Sequence, residues 1–167
     1  MVAALQDLAP FDWVRFFRDK IEGKHEGAPL QGLERGGYRL VYRDAPSDYW
    51  RNAETLAGNV NLTFSLGLTV DTQGKLEEVL WEGPAYAAAL TTGTTILEVE
   101  GEPFSPDALR SAVATANGPG GRVRLKVRAG RQERTVEVAC TTGHRYPHLE
   151  PIVGARPRLL EILAPRG

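Results

Sequence analysis

The 167 residues fit one domain of roughly 100–200 residues. Charged residues at 25%, hydrophobic residues at 42% and a net charge of −1 argue against wholesale disorder and against a general polyanion binder. The single Cys excludes an intrachain disulfide framework and a multi-Cys zinc site. No apolar run approaches the roughly 20 residues of a membrane span. Val2-Ala3-Ala4-Leu5 lacks the basic and apolar regions of a secretory signal.

Phe11, Val14, Phe17 and Ile21 recur at helical spacing and predict a first helix, stopped by Gly23. Tyr38, Leu40 and Tyr42 alternate with Arg39 and Arg43 as in a half-buried strand. Ser47 suits the N-cap of a second helix carrying Tyr49, Trp50, Ala53 and Leu56, ended by Gly58. From residue 59 short strands and tight turns take over, as the 18 Gly and 11 Pro suggest. Leu62 to Val70 is apolar and β-prone, and Asp71-Thr72-Gln73-Gly74 is a turn. Leu76 to Trp81 predicts a strand, Gly83 to Leu90 a short helix, and Thr94 to Val99 another strand. Ser105-Pro106-Asp107 supplies an N-cap, a first-turn proline and an acid for a helix running to Ala116. Val123, Leu125 and Val127 alternate with Arg122, Arg124, Lys126 and Arg128 in a strand, and Thr135 to Ala139 predicts the last one. Arg158 to Leu163 reads as a short helix in the tail.

The element order from 60 to 140 resembles a PDZ domain of the bacterial protease-associated kind. Ser65-Leu66-Gly67-Leu68 resembles its carboxylate-binding loop, Val79 to Leu90 its strand and "G-S-P-A-x-x-A-G-L" helix, and Thr92 to Gly101 its "G-D-x-I-L-x-V-N-G" strand. Ala89 and Thr94 stand where that pattern has Gly and Asp. Phe16-Phe17-Arg18-Asp19-Lys20-Ile21-Glu22-Gly23 resembles the "F-F-x-x-Y-V-x-G" segment of glycyl-aminopeptidase-type zinc metallopeptidases. Gly143-His144-Arg145-Tyr146-Pro147-His148-Leu149 resembles the "G-x-R-Y-P-x-L" segment that follows their PDZ domain. The resemblance implies a mixed α+β fold: a small, partly open PDZ-like β-barrel or sandwich capped by two helices, with a helical N-terminal extension and a C-terminal tail. Residues 1–58 are then a remnant of the peptidase helical region, 59–140 the PDZ domain, and 141–167 a tail docking back on it. Phe11, Trp13, Phe16, Phe17, Tyr49 and Trp50 supply aromatic surface for that docking and for a missing catalytic domain.

Zinc peptidases of this type need an H-E-x-x-H helix, which places two ligands one turn apart and a Glu to activate water. In this chain His25-Glu26 is followed by Gly27 and by Pro29 where the second His belongs. The resemblance therefore implies a non-catalytic C-terminal part of a bacterial aminopeptidase, with zinc only in the missing domain and no cofactor in this part. Cys140, His144 and His148 are spaced by four, as ligands on one helical face would be. Pro147 opposes that helix, however, and no fourth ligand lies near. No Gly-x-Ser-x-Gly is present, and Gly118-Pro119-Gly120-Gly121 lacks the Lys-Ser/Thr of a phosphate loop. The basic row on the 122–128 strand reads as a solvated face.

A PDZ domain binds by adding a peptide strand to its sheet edge. The residues implied for this are Ser65, Leu66, Gly67, Leu68, Thr69 and Val70 from the loop and strand, with Leu109, Val113 and Ala116 from the helix opposite. Gly67 would allow close backbone approach. The partner is a peptide or protein C-terminus, or the catalytic domain of the parent protein, with no nucleic acid and no membrane. The alternative is a structural or autoinhibitory domain whose groove is closed by its own chain, for which the 150–167 tail is a candidate. One Cys suits cytoplasm and periplasm alike.

Overall fold

The structure is a computed structural model describing residues 2–23 and 30–165; the His25-Glu26 motif with Gly27 and Pro29 lies outside the described residues. Two compact units are formed, one from residues up to Arg39 together with those from Pro151 onward, the other from Leu40–Glu150. The 141–150 segment thus belongs to the same unit as the predicted PDZ domain, and so does the Ser47-capped helix. Among the described residues no helix is long and apolar enough to cross a membrane.

The first unit holds α1 (Val2–Leu8), α2 (Trp13–Ile21), α3 (Gln31–Arg35), the start of β1 (Tyr38–Arg43) and, near the C-terminus, a further short helix at Arg158–Leu163. Asp12 caps α2 by accepting from the Arg15 amide. Phe11, Trp13, Phe16 and Phe17 pack ring against ring, with centroids 5.0–6.3 Å apart.

The second unit follows from α4 (Asp48–Ala57) onward with β2 (Asn59–Leu62), β3 (Leu68–Asp71), β4 (Leu76–Val79), α5 (Pro84–Ala87), β5 (Thr95–Val99), β6 (Glu102–Pro103), α6 (Pro106–Thr115), β7 (Arg122–Ala129), β8 (Gln132–Ala139) and β9 (Tyr146–Pro151); the helix at Arg158–Leu163 is then α7. Three antiparallel strands run in the order β2-β3-β4 and four in the order β6-β5-β7-β8. Residues 40–43 of β1 and 146–150 of β9 make a two-stranded sheet. This is the mixed α+β architecture expected, built of open sheets, with no closed barrel among the described residues. One core joins them, including Leu62, Leu68, Ile96, Leu109, Val113 and Leu125.

The capping signals act as expected. Ser47 accepts from the Trp50 amide, Gly58 ends α4 in the left-handed region at φ 66, and Ser105 accepts from the Ala108 amide. Three differences have physical causes. The apolar stretch from Leu62 to Val70 is two strand ends flanking a turn, because the chain reverses through 63–67 to pair β2 with β3. The last hairpin strand begins at Gln132, since every residue of β7 from Arg122 to Ala129 finds a partner on it. And 146–151 is a strand despite Pro147, which an edge position tolerates.

Candidate functional site

Strand β3, the edge expected to receive a ligand, is paired on both sides. On one side β3 pairs with β4, and on the other with β2, in the register Asn59↔Asp71, Val60↔Val70, Asn61↔Thr69 and Leu62↔Leu68. This antiparallel pairing is what strand addition requires of a ligand. The ligand-like strand is the chain's own, and it comes from residues 59–62 rather than from the 150–167 segment.

The loop following β2 completes the likeness. The amides of Ser65, Leu66 and Gly67 all donate to one oxygen, the Leu62 carbonyl, at 3.0, 2.9 and 3.1 Å. Leu66 and Gly67 are among the loop amides, around Leu66–Leu68, expected to hold a peptide carboxylate. The loop's carbonyls are engaged as well: Leu66 O accepts from the Ala85 amide at 2.8 Å and Gly67 O from the Leu80 amide at 2.9 Å. The loop's hydrogen bonding is thus met from within. Ser65 contributes its hydroxyl elsewhere, accepting from the Arg145 amide at 3.1 Å.

Leu62 is 1% exposed and Val60 2%. Both belong to the core that holds Leu66, Leu68, Val70, Leu109 and Val113. So these expected groove residues are brought together, but around the protein's own side chains. Ala116 is half-buried at the C-cap of α6 and packs against that core. Thr69 faces away from it with a buried hydroxyl that has no hydrogen-bond partner. Gly67 sits at φ 73, and a Cβ there would meet Pro84 at 3.1 Å and Gly83 at 3.4 Å. The start of α5 and its own backbone angle both require the glycine.

Glu54, which the sequence reading passed over, closes the outer side of β2. It lies on α4 and is 9% exposed. Its Oε1 accepts from the Asn61 amide at 2.7 Å, and its Oε2 from Arg110 Nη2 of α6 at 3.0 Å. One carboxylate thereby ties α4, β2 and α6 together. The only sequence signal for it was an acid on the inner face of an amphipathic helix.

The 143–149 motif packs around the same region. His144 Nε2 donates to Arg110 O at 3.0 Å, and the Tyr146 hydroxyl lies 3.3 Å from His144 Nδ1. Arg145 places its guanidinium 4.0 Å from the centre of the Tyr42 ring. His148 Nε2 donates to Ala45 O at 2.8 Å. Cys140 Sγ donates to Val113 O at 3.9 Å, and burial pushes its thiol pKa up, a hydrogen bond with the Gly143 backbone opposing this more weakly. Cys140, His144 and His148 thus turn to three different carbonyls and do not fit a shared metal. Among the described residues no group of three metal-binding side chains occurs. The basic row on β7 is neutralised in place: Arg122 pairs with Glu137, Arg124 with Glu100, Lys126 with Glu98 and Arg128 with Glu133. Hydrogen bonding and attraction from Glu98 hold the Lys126 pKa up.

No protein-family model and no curated protein matches the sequence. Among solved structures, the chain is similar to an aminopeptidase N family protein from Idiomarina loihiensis, at 16% identity and a TM-score of 0.59, over 98% of this chain. This chain spans 28% of the length of that one. A weaker likeness, at 15% identity and a TM-score of 0.33, is to the HtrA3 PDZ domain solved with a phage-derived ligand, over 71% of this chain and 95% of that domain. The chain therefore shares the fold of one part of an aminopeptidase N family protein.

Proposed function

We propose that this chain is a non-catalytic, PDZ-like module of a larger peptidase, and that its peptide groove is filled by its own β2, so that it braces the larger protein rather than capturing free C-termini. The observation that carries this reading is the Leu62 carbonyl, bonded by the three amides of the 65–67 loop, at the end of a strand paired along β3. Burying Val60 and Leu62 there contributes roughly 1.5–3 kcal/mol each, and the hydrogen bonds add about 1 kcal/mol apiece. A free peptide would have to displace all of this. The likeness in fold to part of an aminopeptidase N family protein supports a peptidase parent. The paired charges of β7 support a protein partner, the remainder of that parent, over a polyanion.

The test is a titration of the whole chain with peptides ending in apolar residues and a free carboxylate, followed by amide NMR. No saturable binding is expected, and the amides of Ser65, Leu66 and Gly67 should be strongly protected from exchange. Carboxylate-dependent binding that moves those three resonances would overturn the reading. The chain alone should not cleave aminoacyl substrates with added zinc; metal-dependent turnover lost on mutating His144 or His148 would contradict this.

A further inference from the structure

We infer that the outer edge of β8 is a docking surface for an extended segment, basic and apolar at alternate positions, in the part of the parent peptidase beyond this chain; this rests on the reading above that the chain braces a larger protein. In the four-stranded sheet β8 is terminal. Its register with β7 runs from Arg122↔Ala139 to Ala129↔Gln132, and just past it the Cys140 amide donates to Gly121 O at 2.8 Å. Bonded pairs in an antiparallel ladder recur at every second residue. Counting back from Cys140, the backbone groups of Val138, Val136, Arg134 and Gln132 turn to β7. Those of Glu133, Thr135, Glu137 and Ala139 turn outward, and all four residues are exposed. Among the described residues no other strand pairs with β8. The open row is about 20 Å long, whereas β3 is covered by β2 and β4.

The two faces beside this edge differ. Glu133 and Glu137 share one face, and each keeps a carboxylate oxygen without a hydrogen bond. Arg128 donates twice to Glu133 Oε1, Lys126 comes no nearer than 3.9 Å to Oε2, and Arg122 bonds Glu137 at Oε2 alone. On the other face Arg134 donates to Ala89 O at 2.6 Å, and α5 lies against β8. Tyr86 of α5 and Trp81 just before it are 39% and 69% exposed, with ring centroids 4.5 Å apart. An incoming antiparallel strand would set basic residues, four apart, opposite the two glutamates, and apolar residues between them on the α5 side. β7 has this pattern, basic at every second position from Arg122 to Arg128, and already pairs with the same glutamates from the inner side.

Charged side chains on an edge ordinarily turn a neighbouring strand away; here they set a condition that a second copy fails. Pairing β8 with its own copy about Val136 sets Glu133 against Ala139 and Glu137 against Thr135. Pairing about Thr135 sets Glu133 against Glu137, and pairing about Glu137 sets that residue against itself. Neither carboxylate gains a cation in any of these registers, and like charges directly opposite are destabilising. The aminopeptidase N family protein that shares this fold is far longer, this chain spanning 28% of it. A parent of that length has ample chain to supply the strand.

The probe is a fluorescein-labelled peptide, Arg-Val-Arg-Leu-Lys-Val-Arg, copied from residues 122–128 and capped at both ends. It is titrated into the full chain as wild type, Thr135→Pro and Glu137→Gln, with amide exchange measured on the same samples. Companion peptides carry N-methyl groups on the basic residues, whose N–H groups would face β8, or Glu in place of every Arg and Lys. The wild type should bind saturably, with exchange slowed at Glu133, Thr135, Glu137 and Ala139 and unchanged at Ser65, Leu66 and Gly67. Thr135→Pro removes an outward N–H and leaves the bonds to β7 intact; it should weaken binding at least about tenfold. Glu137→Gln should weaken it about two- to fivefold. Should Thr135→Pro fail to fold, the N-methylated peptide decides: loss of binding supports strand pairing, and equal binding overturns it. No binding to the wild type, or equal binding by the acidic peptide, would overturn the docking surface and leave the filled groove standing. Binding that moves the amides of Ser65, Leu66 and Gly67 instead would overturn both. A dimer in sedimentation that Thr135→Pro dissociates would give the edge to a second copy and overturn the occupant. In the longer parent the four edge amides should exchange slowly; exchange as fast as in this chain alone would overturn the occupant as well.

Discussion

Glu54 Oε2 and Arg110 Nη2 lie 3.0 Å apart although the two residues are 56 positions apart in sequence. The pair is asymmetric: the Glu54 side chain is 9% exposed and that of Arg110 34%. Removing one partner of a buried pair costs about 3–5 kcal/mol, and partial exposure of the arginine reduces this to roughly 1–3 kcal/mol. Arg110→Met should therefore lower the unfolding free energy from a urea titration by that amount. In a double-mutant cycle with Glu54→Gln, the two losses should fail to add. Strict additivity would show that the pair is not coupled.

Gly67 and Gly93 offer a matched comparison. Both have positive φ, 73 and 85, but a Cβ on Gly67 meets Pro84 and Gly83, while one on Gly93 meets nothing within 4 Å. The backbone penalty for an alanine is about 1–2 kcal/mol at either position. Gly67→Ala should cost about 1 kcal/mol more than Gly93→Ala in thermal unfolding, because Pro84 must move. Equal costs would mean that the crowding relaxes freely.

Ala89 adopts φ 56, in the left-handed region that penalises a Cβ. Ala89→Gly should raise stability by up to about 1 kcal/mol, the backbone relief being partly offset by glycine's entropy in the unfolded chain. Glu100 has φ 53, but its Oε1 accepts from the Arg124 amide at 2.6 Å. Glu100→Gly should therefore bring no gain. Parallel melting curves of the two variants check both statements.

Burial raises the Cys140 thiol pKa and, with help from the Glu54 charge, that of the Tyr146 phenol. A raised acid ionises first in the unfolded chain. Its stabilising effect is complete below the ordinary thiol and phenol values, and is lost as pH rises through the folded ones. Urea midpoints should hold steady up to about pH 8 and fall above it. Tyr146→Phe should flatten the upper part of that fall. A thiol reagent should modify Cys140 only at the rate at which the unit opens.

The elements legible from sequence were those with strong local signals: Ser105-Pro106 opening α6, Ser47 and Gly58 bounding α4, and the alternation along β7. That Leu66, Leu68, Leu109 and Val113 lie together was legible too, since all four belong to one core. What they converge on was not. β2 is four residues long, and half of it is asparagine, a residue depleted in strands. Its only mark was the alternation Asn-Val-Asn-Leu, too short to stand out. The role of Glu54 depends on the backbone of Asn61 and on a side chain of a distant helix, a relation that no local pattern encodes. The histidines could be weighed as metal ligands only until their separate carbonyl partners were seen.

β2 is the outermost strand of its sheet, and the amide of Asn61 that would otherwise face outward is bonded to a side chain. An unprotected edge recruits further strands from neighbouring molecules. In this protein the edge that would do so, that of β3, is covered before it can meet another chain, and the covering strand is shielded in turn by Glu54. A shorter piece beginning after Leu62 would lose both protections at once. It would present β3 with an open row of backbone groups beside three amides deprived of their acceptor. Such a piece should associate with itself in solution, through sheets that grow from one molecule into the next.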